Sequence, residues 1–225
     1  MTNNAAEFLK QVAILLPTLR ATERKLDREI GRQFNAFSLF NTNENASSRV
    51  LAFLLDPQET HGQGTAFLCL FVRKFLPEWH ELPLGNINII VEHSTEESRR
   101  IDVYLKIGDY HIGIENKFRG ANDQPNQIRD YLRELERKTD NKDKFRLIYL
   151  GPKGEEPSYE SYPEPDRVKY EYQFILGSWI PCPHEGDAQI GDILSWLDDC
   201  VKDCQADNVR WFLKQFKSYS VFNIY

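Results

Sequence analysis

The chain has 225 residues, 41% hydrophobic and 28% charged, and carries a formal net charge of −6. That length and balance suit one globular domain, residues 1–225, large enough for a substantial core. The acidic charge argues against a broad non-specific nucleic-acid coat but leaves room for a local basic channel, because the field at a site is what steers a polyanion.

The opening MTNNAAEFLKQVAILLPTLR lacks a basic leader and a small-residue cleavage site, and no apolar run reaches the ~18–20 residues of a membrane span. A cytoplasmic protein with no membrane partner is expected. Residues 5–16 and 18–35 read as two helices. Residues 41–44 offer several helix caps, and 47–55 (SSRVLAFLL) form an apolar helix that Asp56-Pro57 ends. The loop at 61–64 leads to Phe67, Leu68, Phe71, Val72 and Phe75, a buried helix by spacing. A strand follows at 86–92, then a hairpin, then a helix over 123–138 with Ile128, Leu132 and Leu135 as its apolar stripe. Residues 145–150 (FRLIYL) suit a sheet interior, 151–167 a long loop, and 172–176 a further strand. Ile190 to Val201 mark an amphipathic helix and 209–217 a last one. The element order is that of a mixed α/β domain.

The most informative segment is residues 99–117, RRIDVYLKIGDYHIGIENK. With Gly108-Asp109 as a two-residue turn, Ile107 faces Tyr110, Leu105 faces Ile112, Val103 faces Ile114, and Asp102 falls opposite Glu115. Lys117 shares a face with Glu115, and Arg100 with Asp102. Opposed carboxylates destabilise a sheet unless a cation sits between them. Their hard oxygens suit Mg²⁺ or Mn²⁺. Lys117 is placed to hold a water or to stabilise negative charge in a transition state. Arg100 and Arg119 flank the acids as candidate phosphate contacts.

These residues resemble the PD-(D/E)XK nuclease superfamily, which has the restriction-endonuclease-like fold. Asp102 matches its first acid and Glu115-Asn116-Lys117 its (D/E)xK element, with Ile101 where a proline often stands. Residues 44–57 (ENASSRVLAFLLDP), followed by His61-Gly62, are similar to the N-terminal helix of a prokaryotic branch, in which Glu44 matches an acid that joins the metal site and Ser47 replaces a frequent His. Gln127-x₃-Tyr131 resembles the Q-x₃-Y element of RecB-like members. The resemblance covers about residues 40–150. It implies an αβββαβ core with a mixed central sheet flanked by helices, an N-terminal helical extension (1–39) and C-terminal loop and helices (151–225). It also implies metal-dependent hydrolysis of phosphodiester bonds, most readily those of DNA. Asp102, Glu115, Glu44 and the Asn116 backbone carbonyl would be the metal ligands. Lys117 would handle the attacking water, and Gln127 and Tyr131 would shape the site or touch substrate.

Each feature also has a plain structural reading. Glu44 suits a helix N-terminus, Gln127 and Tyr131 a helix surface, and His111 an exposed polar position. Arg129, Arg133 and Arg137 interleave with acids and read best as a salt-bridged face. The spacing of Cys182-Pro183-His184, Cys200 and Cys204 fits no standard zinc or iron–sulfur pattern; with Cys69 these are expected to be reduced thiols. The functional alternative is a nuclease fold kept as a non-catalytic interaction or sensor module within a larger assembly. Hydrolysis of another phosphate ester, a homo-oligomer and a protein partner stay open.

Overall fold

A computed structural model describes residues 2–31, 34–40, 42–182 and 191–224. Asn41, Pro183, His184 and Ile190 lie outside the described residues, and with them the Cys182-Pro183-His184 segment as a unit. The chain divides into two compact units, Met1–Ala36 and Phe37–Tyr225. Among the described residues no helix is long and apolar enough to cross a membrane.

The first unit is one helix, α1 (Thr2–Ile30), with Pro17 inside it, where the sequence predicted two. Proline removes a single main-chain hydrogen bond, and the Ala-, Leu-, Glu- and Arg-rich flanks carry the helix past it. Gly31 follows with φ +54°, the left-handed conformation that ends helices and that glycine adopts without strain. The helix therefore stops short of the predicted residue 35.

In the second unit, α2 (Glu44–Leu55) and α3 (Ala66–Phe75) precede an antiparallel meander of β1 (Ile87–Ser94), β2 (Arg100–Ile107) and β3 (Tyr110–Asn116). The crossover helix α4 (Gln127–Arg137) leads to β4 (Phe145–Gly151), parallel to β3; α5 (Glu164–Lys169) leads to β5 (Phe174–Ser178), parallel to β4. Helices α6 (Ile193–Asp203) and α7 (Asp207–Ile224) complete the chain. The five strands stand in sequence order in one mixed sheet. The expected αβββαβ core is therefore present, extended by β5 and the C-terminal helices.

Alternation divides the core between the two sheet faces. Val103, Leu105, Ile112, Ile114, Ile148 and Leu150 join one cluster with α2, α3, α6 and α7. Tyr104, Leu147 and Tyr149 join another with Ile128, Tyr131, Leu132 and Leu135 of α4. All seven residues of β4 are buried, Arg146 among them, which explains its mostly apolar sequence. Gly113 lets α4 approach the sheet: a Cβ there would stand 2.9 Å from Leu147 Cδ1 and 3.1 Å from Leu135 Cδ1.

Helix limits shift for local reasons. Asn43 caps α2 by accepting the Ala46 N–H, so the helix starts at Glu44 and not at 47. Helix α4 starts at 127 and not 123, because Pro125 disfavours helix at the residue before it and Asn126 is left-handed (φ +62°). Asp192 caps α6 through the Ser195 N–H. The 151–167 loop holds the start of α5, β5 lies two residues beyond its predicted place, and α7 is longer at both ends than 209–217.

Candidate active site

Gly108 has φ +59°, as a type II′ turn requires at its first central position. The β2–β3 ladder then runs from Ile107 opposite Tyr110 to Val103 opposite Ile114, the predicted register. It ends there. Asp102 does not continue it as a laddered partner of Glu115; its Oδ2 accepts the Asn116 backbone N–H at 2.8 Å. On its other side β3 pairs with β4, placing Glu115 opposite Tyr149. Asp102, Glu115, Lys117, Glu44, Gln127 and Tyr131 all line one cavity of about 350 Å³.

Glu115 is 3% exposed. Its Oε1 accepts from Lys117 Nζ at 2.9 Å and from Gln127 Nε2 at 2.8 Å. Its Oε2 is buried without a hydrogen-bond partner. Burial, then the charge of Asp102, pushes the Glu115 pKa well above the ordinary carboxylate range. Burial raises Asp102 too, against the Asn116 N–H and Lys117, with Glu44 and Glu92 adding to the rise. Burial opposes the charge on Lys117, but Glu115, Asp123 and Glu44 outweigh it and hold the amine above its usual value. Lys117 is thus an ammonium at neutral pH, in a site with more carboxylates than cations.

A family model described as the PD-(D/E)XK nuclease superfamily matches residues 34–218, most of the chain. The chain belongs to the PD-(D/E)XK nuclease superfamily. No curated protein and no solved structure matches it at a significant level. The superfamily match reaches beyond residues 40–150 into β5, α6 and α7, so the C-terminal segment is part of the PD-(D/E)XK fold here.

This PD-(D/E)XK site holds its acids through partners the motif does not name. Glu44 Oε1 accepts the backbone N–H groups of Arg119 and Ala121, at 3.3 and 3.2 Å, so α2 is fastened to the loop after β3. Ser47 is not idle in place of a His: its Oγ accepts from Asn116 Nδ2 at 2.8 Å. Gln127 is wholly engaged, with Oε1 accepting from Lys117 Nζ (3.3 Å) and the Gln124 N–H (3.2 Å), and Nε2 donating to Glu115 and Tyr131 Oη. Tyr131 donates to the Arg100 carbonyl at 2.6 Å. The pair braces the site internally.

Arg100 lines the cavity, its side chain 64% exposed and 3.4 Å from Glu92. Arg119 turns elsewhere, donating to Tyr219 Oη and Asn223 Oδ1 in α7. Arg129, Arg133 and Arg137 pair with Asp130, Asp166 and Glu97, as a salt-bridged face should. His111 is buried, not exposed, and its Nδ1 bonds the Tyr104 hydroxyl at 2.6 Å.

Sequence reasoning missed three residues. Asp123, read as a helix start, stands 3.5 Å from Lys117 and accepts from Tyr149 Oη and the Ser158 N–H. Glu92 lines the cavity from β1 with φ +54°. Arg99 ties the wall together by bonds to Asp130, Gln124 and the Pro125 carbonyl. Only Glu92 carried a local cue, an acid directly after the apolar triplet Ile89-Ile90-Val91.

Among the described residues no three His, Cys, Asp or Glu side chains group tightly enough to hold a metal by themselves. Superfamily members generally use divalent metals. Mg²⁺ in phosphoryl-transfer sites binds through one or two carboxylates, completing its shell with waters and substrate phosphate. Asp102 and the unpartnered Glu115 Oε2 fit that pattern; a full protein cage is not required.

Proposed function

We propose that this nuclease-family protein hydrolyses phosphodiester bonds of DNA with Mg²⁺ or Mn²⁺. The observation that carries the reading is the buried, unpartnered Glu115 Oε2 beside Asp102, with Lys117 2.9 Å from the other oxygen of the same carboxylate. A buried polar atom without a partner in an otherwise satisfied network calls for a missing ligand, and the acid excess selects a cation.

Asp102 and Glu115 would hold the ion, with the Asn116 carbonyl and Glu44 at its margin. When bound, the ion supplies Lewis-acid polarisation of a phosphoryl oxygen. Lys117 acts as a charged donor: it orients the attacking water and stabilises charge growing on the phosphate, and its raised pKa argues against a role as base. Gln127 holds Glu115 and Lys117 in register, and Tyr131 braces Gln127. Arg100 is the phosphate contact at the rim.

The test is cleavage of single- and double-stranded DNA and RNA with Mg²⁺ or Mn²⁺, alongside Asp102→Ala and Lys117→Ala. Cleavage confined to the intact protein and to DNA supports the reading. Undiminished cleavage by both variants refutes it. An intact chain that neither cleaves nor binds metal is a non-catalytic interaction module instead.

A further inference from the structure

Strand alternation turns the middle residue of the Glu-x-Lys segment away from its two neighbours. Asn116 accordingly points into the larger apolar cluster and is 1% exposed. A buried amide is costly unless its donors and acceptor are all met, and an apolar residue would avoid that cost. Here all are met. Nδ2 donates to Ser47 Oγ at 2.8 Å and Ser48 Oγ at 2.9 Å, with the Glu44 carbonyl at 3.3 Å. Oδ1 accepts the Trp179 indole N–H at 2.8 Å. The two serine hydroxyls donate onward to the same Glu44 carbonyl, at 2.8 and 2.9 Å.

The directions of these bonds matter. An indole N–H only donates, so it selects Oδ1 and leaves Nδ2 for the serines. Because the serines accept from Asn116, their own protons go to the Glu44 carbonyl. We infer that Asn116 is a positioning residue. It fastens the first turn of α2 to β3 and so sets where the Glu44 carboxylate stands beside Asp102, while Trp179 determines which end of the amide faces α2. This rests on the metal-dependent reading above, in which only the Asn116 carbonyl figures, and adds to it a role for the Asn116 side chain, acting through Glu44.

The experiment is calorimetric titration of the full chain with Mn²⁺. The variants are Asn116→Ser, Trp179→Phe and the pair Ser47→Ala/Ser48→Ala, each alone and combined with Glu44→Gln. Outer partners of metal ligands are typically worth about 10–100-fold in metal affinity, so each variant is expected to weaken Mn²⁺ binding by roughly tenfold or more. It should also lower kcat on DNA without raising KM. In the Glu44→Gln background the same changes should add under about twofold, as for residues acting through one shared group. Trp179→Phe keeps a large ring in place and carries the test even where Asn116→Ser does not fold. Equal losses with and without Glu44 overturn the inference, as does unchanged Mn²⁺ affinity in Trp179→Phe and the serine pair. An intact chain that binds no Mn²⁺ overturns the metal reading itself, and this inference with it.

Discussion

Glu115→Gln should make the metal-free protein more stable while abolishing its response to metal. Glu115 is buried beside Asp102, and one of its oxygens has no partner. Its pKa is raised by burial and by Asp102, so near neutral pH the fold either bears a poorly solvated charge or takes up a proton. Each unit of such a shift is worth about 1.4 kcal/mol. Loss of the Lys117 contact offsets part of the gain, although Asp123 still stands 3.5 Å from that ammonium. The net gain is about 2 kcal/mol, or a Tm rise of ~4–8 °C for a domain of this size. A raised acid lends its stability to the fold below the ordinary carboxylate range and loses it as pH climbs through the folded-state value. The difference between variant and wild type should therefore vanish near pH 4 and widen toward pH 8. Thermal melts in EDTA across that range measure it, and added Mn²⁺ should raise only the wild type. A variant less stable than wild type at pH 8, or a difference that ignores pH, refutes the reasoning.

Lys117→Met should do the opposite, destabilising the metal-free fold by about 3 kcal/mol in urea melts, because it leaves buried carboxylates without their cation. It should also reduce cleavage by about 100-fold or more. Mn²⁺ affinity should rise steeply with pH above the ordinary carboxylate range, since protons must leave Asp102 and Glu115 first; pH-dependent calorimetry follows the released protons. Gly113→Ala should cost about 1–3 kcal/mol through overpacking against Leu147 and Leu135, visible as a lower Tm. Arg100→Ala should raise KM for DNA and reduce the salt slope by about one ion. Arg119→Ala should leave both unchanged and lower the Tm, because its guanidinium is bonded within α7.

The hairpin was legible because its information is local. A two-residue turn sets the register, and alternation then assigns each side chain a face. Asp102 escaped that arithmetic only at the last step, where the ladder ends and an N–H takes its carboxylate. Gln127 and Tyr131 were legible as a pair four apart, but not as an internally satisfied brace, because their partners lie on β3 and β2. Asp123 and Arg99 carry no periodicity that marks them; a loop closed by Pro125 and a left-handed Asn126 brings Asp123 to the site, and Arg99, from the β1–β2 connection, bonds that loop at the Pro125 carbonyl. The predicted break in α1 shows the converse error, a strong local preference at Pro17 overridden by the helical residues on either side.

The Trp179 indole reaches Asn116 across 63 residues of sequence. A ribosome adding about 5–20 residues per second needs roughly 3–13 s to cover that distance. During that interval the acids and lysine of the hairpin already exist. A nascent chain therefore carries Glu44, Asn116 and both serines before the indole that orients the amide has been made. The amide takes its final orientation late, only once the chain has been extended past β5.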